Sequence, residues 1–216
     1  MVHCLRKIVC QLPVKLLVVL LLMINLVNCN IFSTDESLPY YSSQDLTPIW
    51  NNTNHRIAKF NLVDQNGKSF GTESLNGKIY IANFFFTTCP SICPRMAKCL
   101  KMLQDSIYSM QQVAIVSFSV MPWVDSVNKL NQYGKENNIY PDKWHLLTGE
   151  KTVIYSLGRA SFFADNNKLD DTSSFLHTDK MYLIDHQQKI RGVYNATNLN
   201  EIARVLNDIT LLKKEL

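Results

Sequence analysis

The residues from Lys78 to Phe86 (KIYIANFFF) form a nearly continuous apolar run, and this run restricts the fold more than any other feature of the sequence. A strand without alternation of apolar and polar residues is covered on both faces, which is typical of a central strand in an α/β sheet. A second run of this kind, Val113 to Val120 (VAIVSFSV), predicts another buried strand. Between them, Pro94 suits the first turn of a helix, because its missing N–H costs nothing there. We therefore expect a strand, a helix and a strand in succession.

The remaining pattern predicts the other elements around this unit. Ile57 to Val63 alternates apolar and polar residues, and the turn residues Asp64 to Gly67 close it into a hairpin. Further helices are predicted at about 125–137, 152–162 and 199–212, and further strands at 144–147, 178–185 and 190–194. This order predicts an α/β sandwich with a mixed central sheet and an N-terminal β-hairpin, occupying residues 55–216. Residues 30–54, rich in Ser, Thr, Asn, Asp and Pro, are typical of a linker.

Residues 1–29 have the pattern of an export signal or a membrane anchor. Two basic residues, Arg6 and Lys7, precede an apolar run from Leu16 to Ile24, which is shorter than the about 20 residues of a comfortable bilayer span. The run leads into LVNC, whose Cys29 is a candidate for lipidation in the manner of a bacterial lipoprotein. An uncleaved membrane anchor is an equal alternative, and a simple cleaved signal peptide is a weaker third one. All three place the domain outside the cytoplasm, on the periplasmic face, where dithiols are readily oxidised.

The charge of the chain argues against nucleic acid as a partner. The sequence has 22 basic and 18 acidic residues. Leaving out Arg6, Lys7 and Lys15, which precede the domain, gives 19 basic residues against 18 acidic ones. A nearly neutral domain lacks the basic surface that phosphate backbones require.

Two cysteines, Cys89 and Cys93, lie four positions apart in TTCPSICP, and each is followed by a proline. They fall where the first apolar strand gives way to the helix, so the partial positive charge of the helix N-terminus favours thiolate over thiol. This location predicts that both thiols lie near the surface with a lowered pKa. The pair can act as a redox dithiol, hold a metal ion, or form a structural link. Cys99 lies in the apolar stripe of the helix, and we expect it to be a buried small hydrophobe.

His177 is the histidine that the pattern sets apart. It comes immediately before the late apolar strand. The other histidines are more simply explained as structural or solvent-exposed residues: His3, His55, His145 and His186. Thioredoxin-type redox enzymes carry a cis-proline before this strand, but the last proline here is Pro141. Two thiolates and one imidazole form a soft donor set that suits Cu(I), accepts Cu(II) with an added ligand, and also suits zinc with a fourth ligand.

Three segments, TTCPSICP, LHTDKMYLID and SVMPWVD, together resemble the Sco/SenC family over about Ile57 to Leu212. The resemblance implies a thioredoxin-like fold and a copper ion, Cu(I) or Cu(II), held by Cys89, Cys93 and His177. It further implies a membrane-tethered bacterial protein that helps to assemble the CuA centre of cytochrome c oxidase. The implied partners are the oxidase subunit that carries CuA, a thioredoxin-like reductant and other copper chaperones.

One loop departs from the family pattern. The family often has Asp-Pro-x-Arg-Asp after the second buried strand, whereas this chain has Met121-Pro122-Trp123-Val124-Asp125, which keeps the proline and the second aspartate. Trp123 is therefore either a docking residue or a plug of the loop. The sequence as a whole favours an exported copper metallochaperone; the alternatives are an enzyme, namely a thiol–disulfide oxidoreductase that reduces partner cysteines, and a copper or redox sensor.

Overall fold

The computed structural model describes residues 37–165, 176 and 178–216. The compact unit that they form begins at Leu38 and ends at Leu216. The predictions for residues 1–29, for lipidation of Cys29 and for His177 as a ligand fall outside the described residues. Within the described part of the chain, no helix has the length and apolar character needed to cross a bilayer.

A mixed sheet of seven strands forms the centre of the unit. The strands are β1 (Asn61–Asp64), β2 (Ser69–Gly71), β3 (Ile79–Phe85), β4 (Val113–Ser119), β5 (Trp144–Thr148), β6 (Lys180–Ile184) and β7 (Ile190–Asn195). Their order is β2-β1-β5-β4-β3-β6-β7, with β4 parallel to both β3 and β5 and the other pairs antiparallel. All seven residues of β3 and of β4 are buried, as their apolar runs predict.

Helices cover both faces of this sheet. They are α1 (Ile92–Ser106), α2 (Val127–Glu136), α3 (Lys151–Ser156) and α4 (Glu201–Lys213), with a 3₁₀ turn at Thr72–Leu75 and a π-helical turn at Leu157–Ser161. Side chains from α1, α2 and α4 pack with Ile79, Ile81 and Phe85 on one face. Side chains from α3 and the β1–β2 hairpin pack with Tyr80, Ala82 and Phe84 on the other. The predicted α/β sandwich with a mixed central sheet and an N-terminal hairpin is confirmed.

The segment before β1 packs on the domain, although its composition is that of a linker. Arg191 of β7 is 2% exposed, and its guanidinium donates to the backbone carbonyls of Leu38 (2.9 Å) and Pro39 (3.3 Å). The same guanidinium pairs with Asp185 at 3.3 Å and with Glu215 at 2.7 Å. A buried guanidinium needs such partners for its five N–H donors. The compact unit consequently starts at Leu38, whereas the sequence pattern suggests a boundary at residue 55.

The strand register defines the edge of the sheet at which the two cysteines lie. Phe85, the last residue of β3, pairs with Ser119 at the end of β4, and Val120 N donates to Phe85 O at 2.9 Å. Because β6 runs antiparallel to β3, its beginning lies at this same edge, with Met181 opposite Asn83. In α/β sheets, ligands usually bind outside the carboxyl ends of the parallel strands. We call this end of the sheet the dithiol edge.

Candidate functional site

Cys89 and Cys93 meet at the dithiol edge as free thiols. Cys89 lies in the loop between β3 and α1, and Cys93 is the second residue of α1. The backbone N–H of Cys93 donates to the sulfur of Cys89 at 3.4 Å, and the two thiols are in hydrogen-bond contact. The structure therefore brings together these two predicted site residues.

The sulfur of Cys89 takes the place of a helix cap. Ser91 is the N-cap residue of α1, but its side chain makes no capping hydrogen bond. Partial burial raises the pKa of Cys89, but hydrogen bonds from the Cys93 thiol and from the backbone N–H groups of Ser91, Cys93 and Ile92 lower it by more. The net pKa lies below the ordinary value, as the sequence predicts. Cys89 is partly exposed, so its thiolate is accessible to a metal ion or to another sulfur.

Cys93 differs, and the prediction of a lowered pKa is wrong for this residue. Its side chain is 5% exposed, and burial together with the contact to Cys89 raises its pKa to about 12. The physical reason is that α1 directs Cys93 toward the sheet, where it joins the same apolar face as Met96 and Leu100. The two thiols are therefore unequal: Cys89 is partly exposed with a lowered pKa, and Cys93 is buried with a raised pKa.

Asp125 fixes the loop that leads to Cys89. This carboxylate is 0% exposed and accepts hydrogen bonds from Thr87 N (3.1 Å), Thr87 Oγ1 (2.6 Å) and Ser119 Oγ (2.6 Å). Thr87 lies two residues before Cys89, and Ser119 ends β4. The carboxylate thus ties together the ends of the two central strands, and its negative charge contributes to the raised pKa of Cys93.

Tyr133 of α2 is a site residue that sequence reasoning missed. Its ring packs on Phe85 at 5.5 Å between centroids, and its pKa is raised by burial and by the charges of Cys93, Cys89 and Asp125. Together with Cys93 it lines a cavity of about 10 Å³, which is at the lower limit for one water molecule. The space behind Cys93 is therefore too small for a ligand larger than a water molecule.

The structure also tests the predictions for Cys99 and Trp123, but not the one for His177. Cys99 is 1% exposed within the apolar face of α1, so the prediction of a buried small hydrophobe is confirmed. Trp123 is 56% exposed, so the alternative of a loop plug is wrong. His177 lies outside the described residues, and among those that are described no group of three or more His, Cys, Asp or Glu side chains is arranged to hold a metal ion.

The described part of the domain also has a larger cavity of about 540 Å³. It is bounded by the segment before β1 and by residues near β6 and β7, among them Tyr41, Leu46, Phe163 and Lys180. Lys180, at the start of β6, places part of it near the dithiol edge, but none of its described lining residues is a cysteine. The soft and nucleophilic groups are at the dithiol, which is therefore the candidate functional site.

Comparison with protein families gives a match over most of the chain. The family model described as SCO1/SenC matches residues 50–212. The predicted relationship is therefore confirmed by the sequence as well as by the fold.

Three solved structures are similar to this chain. A SCO1/SenC family lipoprotein from Bacillus anthracis is 29% identical with a TM-score of 0.66, covering 74% of this chain and 96% of that one. BsSco, described with a disulfide switch and as a member of the Sco family of cytochrome c oxidase assembly proteins, is 28% identical with a TM-score of 0.66, covering 77% and 98%. Arabidopsis thaliana ScoI with copper bound is 28% identical with a TM-score of 0.58, covering 73% and 98%.

Proposed function

Since this chain belongs to the SCO1/SenC family, we propose that it is a copper metallochaperone that helps to assemble cytochrome c oxidase. Its cargo is a copper ion held by Cys89, Cys93 and His177, and its acceptor is the oxidase subunit that carries the CuA site. The observation that carries the proposal is the accessible sulfur of Cys89, which accepts backbone N–H bonds at the start of α1 while touching a second thiol. Copper bound in solved ScoI of Arabidopsis supports the choice of metal.

The two sulfurs suit a metal that must be both held and released. Thiolates are the soft ligands that Cu(I) prefers, and coordination removes the proton even from a thiol of raised pKa. Cys93 is buried in the core and can keep its bond to copper during release. Cys89 is partly exposed and is the sulfur that a competing thiolate reaches first. Release can then proceed by exchange of one ligand at a time.

His177 is proposed as the third ligand. The support is indirect: β6 begins at Lys180, three residues later, and its register with β3 puts that beginning at the dithiol edge. The described neighbours Leu176 and Thr178 are both buried, at 0% and 8% exposure, so the chain on either side packs against the domain. An imidazole added to two thiolates gives a three-donor set that holds Cu(I), and with one further ligand Cu(II).

We also propose that the domain lies outside the cytoplasm, on the periplasmic face, and is tethered to a membrane. The tether is either lipidated Cys29 or an uncleaved anchor within residues 1–29. The support is the export pattern of the sequence together with the similar Bacillus anthracis protein, which is described as a lipoprotein.

A second candidate function is reduction of partner disulfides, which the inequality of the thiols favours. The accessible Cys89 thiolate would attack a partner disulfide and form a mixed disulfide, releasing one partner thiolate. Cys93 would then lose its proton and attack Cys89, leaving an oxidised Cys89–Cys93 pair and a reduced partner. A lowered pKa on the attacking thiol and a raised pKa on the buried one fit these two roles. A copper or redox sensor would use the same pair.

The experiment is copper titration of the reduced protein, with X-ray absorption spectroscopy of the product. We expect one Cu(I) per chain with sulfur in its first shell, and loss of uptake when Cys89 and Cys93 are oxidised to a disulfide. The His177→Ala variant should lose copper affinity while disulfide exchange persists; His186→Ala, in the β6–β7 turn at the opposite end of the sheet, is the matched control. A spectrum without Cu–S scattering, or uptake unchanged by oxidation, would contradict the proposal.

A further inference from the structure

Residues Met121 to Asp125, which we call the Trp123 loop, form a tight turn directly after β4. The backbone N–H groups of Val124 and Asp125 both donate to the carbonyl of Met121, at 2.8 and 2.9 Å. The buried carboxylate of Asp125 then binds Thr87, two residues before Cys89. The loop is therefore closed by backbone hydrogen bonds of its own and is joined through Asp125 to the segment that leads to Cys89.

The tip of this loop exposes apolar surface. Trp123 is 56% exposed and Val124 is 36% exposed. The Lys151 ammonium lies 5.0 Å from the centre of the Trp123 ring and also 5.0 Å from that of Tyr155, so the indole is bordered by a positive charge. Exposed tryptophan on a rigid support is a common anchor of protein interfaces, because it loses little conformational freedom when a partner covers it.

We propose that Trp123 and Val124 are the docking surface for the thiol-bearing protein that receives copper from Cys89. This inference rests on the proposed function, because exchange of a metal between two sulfurs requires them to come within bonding distance of the same ion. Cys89 is only partly exposed, so an acceptor that reaches it also covers the neighbouring surface. The Trp123 loop is that neighbour, since it is bonded to the segment leading to Cys89.

The chemistry of the loop specifies the acceptor further. The indole fits an apolar hollow on the acceptor, close to the acceptor's own cysteines. The acceptor is thus a protein whose metal-receiving thiols lie beside an apolar depression.

The test uses the full chain loaded with Cu(I) and the reduced, copper-free CuA-bearing domain of the oxidase subunit from the same organism as probe. Trp123→Ala should slow copper transfer to this domain and weaken its binding by about 10- to 30-fold, the loss typical of a tryptophan anchor. Trp123→Phe should give an intermediate loss. Trp50→Ala is the matched control, because Trp50 is 69% exposed in the segment before β1 and should change neither quantity.

Two further measurements separate the outcomes. Copper removal by a small chelator, which needs no docking, should be the same for Trp123→Ala and the unsubstituted chain; a changed rate would mean that the loop acts on the metal itself, which overturns the inference. Equal transfer to the oxidase domain by both proteins overturns it while leaving copper binding intact. Loss of binding to anionic phospholipid vesicles without loss of transfer would make Trp123 a membrane contact and overturn it as well. A chain that never takes up copper refutes the proposed function instead.

Discussion

Replacing Asp125 by alanine tests whether this buried carboxylate holds the dithiol edge together. The substitution removes the acceptor of three donors: the Thr87 backbone N–H, the Thr87 hydroxyl and the Ser119 hydroxyl. A buried donor left without a partner costs about 1–3 kcal/mol, but hydroxyl groups can rotate toward other acceptors whereas the amide cannot. We therefore expect a loss of about 3–5 kcal/mol in the free energy of unfolding, a large share of the about 5–15 kcal/mol of a typical domain.

The assay is urea unfolding of the reduced, copper-free protein. Asp125→Asn, which keeps one acceptor oxygen, should lose about half as much as Asp125→Ala. Asp105→Ala is the control, because Asp105 is exposed and forms a surface pair with Lys101 that is expected to contribute less than about 1 kcal/mol. If Asp125→Ala costs no more than this control, the carboxylate does not stabilise the edge and the argument for a fixed Trp123 loop fails with it.

Two predictions concern pH. Alkylation by iodoacetamide, followed by mass spectrometry, should modify Cys89 at lower pH than Cys93. The reason is that the pKa of Cys89 is lowered from its ordinary value, whereas the pKa of Cys93 is raised to about 12. Equal pH midpoints for the two alkylations would contradict the assigned environments. Burial, with the nearby charge of Lys78 as a smaller cause, lowers the pKa of His145 to about 4, so the unfolded chain takes up a proton first as pH falls below 6.5. The free energy of unfolding should therefore decrease by up to about 3 kcal/mol between pH 6.5 and 4. His145→Phe should flatten this dependence in pH-resolved urea unfolding, and an unchanged slope would refute the assignment.

The pattern of apolar residues predicted the strands and the helix around the site, because this pattern reflects which side chains are buried. The unbroken apolar run in β3 needs cover on both faces, and Pro94 fits only the first turn of a helix. The inward direction of Cys93 was also within reach of the sequence, since Cys93, Met96 and Leu100 share the spacing of one helix face. The prediction that both thiols lie near the surface with a lowered pKa failed for Cys93, because it considered the helix N-terminus and left burial out.

Tertiary contacts explain the residues that the sequence did not reveal. Tyr133 lies near the dithiol although it belongs to α2, forty positions after Cys93, and no local motif predicts this contact. The packing of Leu38 likewise depends on Arg191, far away in the chain, so a composition typical of linkers misrepresents that segment. Asp125 was visible as part of a motif, but its role as the acceptor between two strand ends emerges only when β3 and β4 pair.

Arg191 also determines where the segment before β1 joins the domain. It binds Leu38 and Pro39 beside Asp185, at the end of β6 that pairs with the beginning of β3. Seven residues of β3, or about 20 Å of extended chain, separate that point from the loop of Cys89. Leu38, at which the compact unit begins, therefore lies at the end of the sheet opposite to the loop of Cys89.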